Sequence, residues 1–227
     1  MKKIVLSFFF LAFVSMEALA QSPKTVVMKH SKDFIVASFT YDMWMGAPDS
    51  VNTGGFSHGI NIAFTYDIAL GDDSHFSVAP GLGISASHMS FDNQKAEIWG
   101  EGSELNFSPD TLNKSFKLIN TYLEIPVELR YRSISNNANT GFKAAIGLKF
   151  GAMINAHSKA KRSVSGYKQT EKVKNNKYFE KWRVAGTFRI GYGHFAAFAS
   201  YSLTPLLKPN AGAKIRPLSI GIAVSGF

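Results

Sequence analysis

Three groups of residues have side chains whose type and spacing could do chemistry. The first is His88-x-Ser90, with Glu97, Glu101 and Glu104 downstream. Two residues apart on a strand, an imidazole and a hydroxyl point to one face, and a carboxylate orienting the imidazole would complete a nucleophilic arrangement. The second is a set of charges placed inside otherwise apolar runs: Asp42, Asp67, Glu124, Glu128, Arg130, Arg132, Lys143, Lys149, Arg183 and Arg189. Held away from water, such charges satisfy one another as ion pairs, or line a path for ions or protons. The third is a basic stretch with Lys159, Lys161, Arg162, Lys168, Lys172, Lys174 and Lys177 against Glu171 and Glu180, suited to phosphates or another anionic surface. The remaining histidines are scattered and there is no cysteine, so no metal-site spacing emerges. Phosphate-loop and dinucleotide fingerprints are also missing, and no cofactor is expected.

The elements that position these residues follow from a period-two alternation. Between 59 and 70, Ile60, Ile62, Phe64, Tyr66, Ile68 and Leu70 fall on one face, and Asn61, Ala63, Thr65 and Asp67 on the other. A helix would mix the two sets, whereas a strand separates them. The same pattern starts again at Ile35, Phe76, Leu123, Phe142, Trp182, Ala197 and Leu218. It predicts eight strands, each close to the roughly ten residues that a tilted strand needs to cross a bilayer. The second group of charges lies on the polar face throughout, and Asn155 is expected on that face too.

The connections between these strands are 44–57, 71–74, 90–120, 133–140, 156–181, 193–194 and 205–214. Long and short alternate, so every long connection lies on one side of the sheet. Outer-membrane barrels sort their loops this way, whereas a β-sandwich has no reason to. Aromatic girdles are expected at both rims: Phe76, Tyr131, Phe142, Tyr192 and Phe195 on the turn side, and Trp44, Phe91 and Trp182 on the loop side. An eight-stranded barrel is narrow enough for its own side chains to fill. The charged interior therefore reads first as a network of ion pairs plugging the lumen, with a channel or proton relay as the alternative.

The first twenty residues stand apart from this pattern. Lys2 and Lys3 precede an apolar run from Ile4 to Val14, and Ala18-Leu19-Ala20 supplies small residues ahead of Gln21. That is a secretory signal peptide, too short in its apolar part to anchor a membrane. Residues 21–32 read as a periplasmic lead-in and 33–227 as the barrel, with both mature termini periplasmic and Phe227 as the aromatic end that barrel-assembly machinery recognises. The chain carries 25 basic and 16 acidic residues, and loss of Lys2, Lys3 and Glu17 leaves a net charge of +8. This charge is not gathered into a nucleic-acid-binding motif, so outer-membrane lipid and lipopolysaccharide are the expected counterparts rather than nucleic acid. Without disulfides, an exported domain of this size must draw stability from a large core or a membrane.

The run TYLEIPVELRYR at 121–132 resembles a recurring strand of the PorT-like outer-membrane β-barrel family, as do KAAIGLKFG at 143–151 and SYSLTPLL…KIRPLSIGIAV from Ser200 to Val224. The resemblance implies a small eight-stranded outer-membrane barrel. The family's namesake is tied to a protein secretion system, a role the motifs here do not single out. His88-x-Ser90 is in turn similar to the His-x-Ser of outer-membrane lipid A deacylases, although Ser87, Met89 and Phe91 do not match that family.

The expectation is an all-β, eight-stranded, up-and-down transmembrane barrel in the cell outer membrane. It is expected to be non-enzymatic, with a structural or surface-interaction role. A porin-like or secretion-associated component is the alternative, and a lipid A-modifying hydrolase using His88 and Ser90 comes third. The basic stretch reads as a solvated hairpin tip or a lipopolysaccharide contact, and 90–120 as a binding surface, a lid or strands rising above the membrane.

Overall fold

The computed structural model describes residues 34–226 apart from 114, 136, 138, 165 and 166, with the backbone alone of 163, 164 and 168. The expected signal peptide, the lead-in and Phe227 lie outside the described residues. The strands in chain order are β1 (Ile35–Met45), β2 (His58–Thr65), β3 (Ile68–Ala69), β4 (Phe76–Phe91), β5 (Gln94–Ala96) and β6 (Phe107–Pro109). They continue with β7 (Ser115–Arg132), β8 (Phe142–Val164), β9 (Tyr167–Lys174), β10 (Trp182–Tyr192), β11 (Phe195–Ser202) and β12 (Arg216–Ser225).

Eight staves close into a ring. Each pairs antiparallel with its neighbours in sequence, β2 and β3 together form one stave, and β12 returns to β1. The alternation dictates which face is which. Outward residues such as Phe39, Phe64, Leu82, Ile125, Ile146, Phe188 and Ile222 stand 45–63% exposed. Their inward neighbours Thr40, Thr65, Glu124, Arg130 and Arg189 are buried. A continuous apolar belt of this extent has no place on a water-soluble protein, and closure of the ring leaves none of its eight staves as an edge within the belt. The fold is a closed, eight-stranded antiparallel β-barrel. On the turn side, Phe76, Tyr131 and Phe142 form an aromatic ladder with ring centroids 5.2 and 6.4 Å apart. The two-residue connection after β10 turns on Gly193, whose φ of 59° a side chain would disfavour.

Three features depart from simple alternation. The stave expected at 59–70 is interrupted between β2 and β3. The Tyr66 N–H donates to the Pro80 carbonyl at 2.8 Å, but proline has no N–H to return. Register also slips at Thr121/Tyr122, where Met153 faces Tyr122 but Asn155 faces Thr121. This β-bulge leaves Ile154 as an extra residue and turns Asn155 outward rather than inward. Finally, the segments expected to be loops at 90–120 and 156–181 are partly strand. β4 runs to Phe91, β7 starts at Ser115, and β8 continues to Val164 and returns as β9.

The extended strands and the loops enclose the largest apolar core, which sits over the loop-side mouth rather than in the barrel. Its members include Trp44, Met89, Phe91, Ile98, Leu105, Leu118, Tyr178, Phe179, Leu207 and Ile215. Trp44 packs edge-on against Phe91 at 5.4 Å and Phe107 at 6.3 Å. Trp44 and Phe91 therefore belong to this cap and not to the expected girdle, while Trp182, 64% exposed, remains on the outer face.

Candidate functional site

The lumenal charges form two clusters. Towards the turn side Arg130 is the hub. It donates through Nη1 to Asp67 at 3.1 Å, through Nη2 to the Thr65 hydroxyl at 3.0 Å and through Nε to Glu128 at 2.9 Å. Arg132 pairs with the second oxygen of Asp67, and Arg189 reaches Glu128 at 2.7 Å. Lys143 and Arg189 both donate to the Ser225 hydroxyl, at 2.7 and 3.3 Å. Towards the loop side Lys149 donates to Glu124 at 3.0 Å, and Arg183 pairs with the other Glu124 oxygen while lying 4.4 Å from the Tyr122 ring centre.

Asp42, grouped by sequence with these charges, joins neither cluster. It accepts the hydroxyls of Thr40 at 2.8 Å and Ser87 at 2.5 Å. Gly59 makes room for this arrangement, since a Cβ there would lie 2.5 Å from the Thr40 hydroxyl. Three cavities among the described lumenal residues measure about 10, 10 and 30 Å³, the first two with room for a single water at most.

Above the lumen, the cap is pinned by hydrogen bonds between loops. The Tyr178 hydroxyl donates to the Gly100 carbonyl at 2.5 Å, and the Asn175 amide donates to the Ile98 carbonyl at 2.7 Å. Lys177, expected in a basic outer surface, instead donates to the Glu101 and Gly102 carbonyls at 2.9 and 3.0 Å. In the same cap, Glu97 accepts the Ser108 hydroxyl at 2.7 Å and pairs with Lys95 at 3.7 Å.

The rest of the basic stretch lies on the outer wall. Register aligns His58, His88, Ile119, His157 and Lys174 in one outward row across β2, β4, β7, β8 and β9. The next row, farther from the belt, is Ser90, Lys117, Lys159 and Lys172. Beyond it Ser115 faces Lys161. These residues, except Ser90 and Lys174, line a groove of about 410 Å³. On β2 and β8 it begins where the apolar belt ends, at Ile60 and Ile154, while Ile119 on β7 carries apolar surface into it. Arg162, at the hairpin tip, donates to Gln169 at 3.2 Å, and Lys168 pairs in register with Ser163.

The histidines are held in place by their neighbours. His58 stacks between Phe56 at 5.3 Å and His88 at 4.8 Å, and its Nδ1 donates to the Phe56 carbonyl at 3.1 Å. The Asn155 amide donates to Nδ1 of His157 at 2.8 Å, which leaves the ring proton on Nε2. Burial, with the Lys172, Lys159 and Lys174 ammoniums close by, holds His157 below the usual imidazole range.

His88 and Ser90 share this outer face, but no carboxylate among the described residues hydrogen-bonds His88. Ser90 contributes its hydroxyl to the Phe56 carbonyl at 3.4 Å and its N–H to the Ser57 hydroxyl at 3.0 Å. Sequence reasoning singled out neither Lys117 nor His157 as site residues. Their signal was the register of β7 against β8, which becomes visible only once the bulge is known.

An apolar outer wall around an ion-paired interior defines an integral outer-membrane β-barrel protein. The chain belongs to the outer membrane protein beta-barrel domain family, whose model matches residues 29–208. It is similar to Ail, the attachment invasion locus protein of Yersinia pestis. The crystal structure of that protein shares 14% identity at a TM-score of 0.37, and its backbone structure in a phospholipid bilayer nanodisc shares 15% at 0.34. Each comparison covers 86% of this chain and 99% of that one. No curated protein matches the sequence.

Proposed function

We propose that this is a non-enzymatic barrel with a structural and surface-interaction role in the cell envelope, its lumen closed to solutes. On this reading, residues 1–20 direct export and barrel-assembly machinery inserts the chain. Both mature termini then face the periplasm, and the cap and the β8–β9 hairpin face outward among lipopolysaccharide. The observation that carries the reading is a double closure. Buried ion pairs occupy the lumen, where three cavities of about 10, 10 and 30 Å³ lie among them, and an apolar core lies over the loop-side mouth.

A closed lumen argues against the porin-like alternative, and the hydrolase alternative lacks an oriented base, since among the described residues Nδ1 of His88 has no hydrogen-bond partner and the Ser90 hydroxyl is given to the Phe56 carbonyl. Within the family, the runs at 121–132, 143–151 and 200–224 favour kinship with the PorT-like barrels. The test is a liposome swelling assay. Proteoliposomes loaded with the purified barrel should swell in isosmotic arabinose or glucose no faster than protein-free vesicles, and swelling that scales with protein content would refute the closed lumen.

A further inference from the structure

We propose that the outward groove framed by His58, His88, His157, Lys117, Lys159 and Lys172 binds a phosphate-bearing headgroup of an outer-leaflet glycolipid. The inference rests on the orientation proposed above and names the ligand chemistry of that outer face.

The argument begins with register. Lys117, Lys159 and Lys172 stand directly opposite one another on three adjacent strands. Cross-strand neighbours of this kind have Cβ atoms about 5 Å apart, and like charges there oppose folding. No carboxylate relieves them. Among the described residues none of the three forms an ion pair, and neither does Asp92, the acid just beyond β4. Within this row, a chain selected only for stability would alternate signs. Three unpaired ammoniums in a row instead make a site awaiting an anion, with phosphate giving the highest charge density for its size.

The position of the groove relative to the membrane selects the source of that phosphate. The His58–His88–His157 row sits directly on the loop-side edge of the apolar belt, and the lysine row lies one step farther out. A lipid whose acyl chains cover Ile60, Ile84 and Ile154 brings its headgroup to this height. Basic pockets at a membrane interface bind anionic headgroups in the same way. Imidazoles suit such a boundary because their rings tolerate partial burial and still offer a hydrogen bond. In His157 that donor is Nε2–H, fixed by Asn155. The groove, at about 410 Å³, is open enough for a phosphorylated sugar rather than a bare ion.

The test uses the full-length barrel in phosphatidylcholine nanodiscs. It is titrated with bisphosphorylated lipid A, with lipid A stripped of its phosphates, and with inorganic phosphate, and bound lipid is counted by native mass spectrometry. Bisphosphorylated lipid A should be retained, and the other two should not. The triple variant Lys117→Gln, Lys159→Gln, Lys172→Gln should lose on the order of a hundredfold in affinity, as removal of three interfacial cations predicts. Replacement of the same lysines by arginine should preserve binding. The charge-matched variant Lys95→Gln, Lys208→Gln, Lys214→Gln, altered in the cap, should bind as the native chain does.

Equal retention by the glutamine triple variant, equal loss in the cap variant, or equal binding of dephosphorylated lipid A overturns the site. Binding of inorganic phosphate as tight as that of the lipid overturns the headgroup assignment. Heat-modifiable migration establishes that each variant is folded. Trypsin treatment of intact cells separates this proposal from the orientation beneath it. A hairpin that is not cleaved at the cell surface rejects the orientation, whereas one that is cleaved, with lipid retention unchanged in the triple variant, rejects only the groove.

Discussion

Glu128 holds two guanidiniums at once, Arg130 and Arg189, and all three side chains are buried in the lumen. Replacing it by glutamine keeps the shape and removes the charge, leaving two cations facing each other. Breaking a buried pair by removing one partner costs about 3–5 kcal/mol. Glu128→Gln should therefore lower the urea midpoint of the detergent-folded barrel markedly, with wild-type-like stability as the outcome that would discount the cluster. The residue types of this network were readable from the polar face of the alternation, because a strand sorts its side chains strictly in and out. Their pairing was not. Which carboxylate meets which guanidinium depends on the stagger between strands. Asp42 ended on two hydroxyls because Thr40, Ser87 and the vacant side of Gly59 surround it. Asn155 faces the opposite way from its place in the alternation because one extra residue, Ile154, resets the parity.

At the level of elements, the transmembrane staves were legible because apolar and polar residues alternate along them. Their extensions were not. In the upper part of β8 the outward residues are His157, Lys159 and Lys161, and the inward ones are Ala156, Ser158 and Ala160. The period of two persists there, but it alternates charged with small residues and so resembles a loop. The cap was hidden for a related reason. Ile98, Tyr178, Phe179 and Leu207 are scattered through segments with no periodicity, Trp44 ends the inward face of β1, and only the folded chain gathers them. Tyr178 is nearly fully buried and ties two loops together. Tyr178→Ala should cost the cap about 3–5 kcal/mol, as truncation of a buried aromatic does. Limited proteolysis should then cut within 92–114 many times faster, while heat-modifiable migration of the barrel stays the same. Unchanged protection of that segment would mean the loops are held by something other than this core.

For the whole molecule, the separation of roles is by height. The turn-side rim carries aromatics, the middle carries an apolar wall around ion pairs, and the loop side carries the apolar cap with the cationic groove on its flank. Closure of the ring was foreseeable from eight short amphipathic segments and sorted connections, since backbone polar groups in lipid leave few other choices. The sealing of the mouth that we propose was not, because no single segment encodes the core that covers it. The most direct measurement of that sealing is single-channel recording of the purified barrel in planar bilayers. A lumen plugged by Glu124, Glu128 and their cations beneath an intact cap gives a flat baseline at every voltage below membrane breakdown. Steady, discrete conductance steps of uniform size would contradict it.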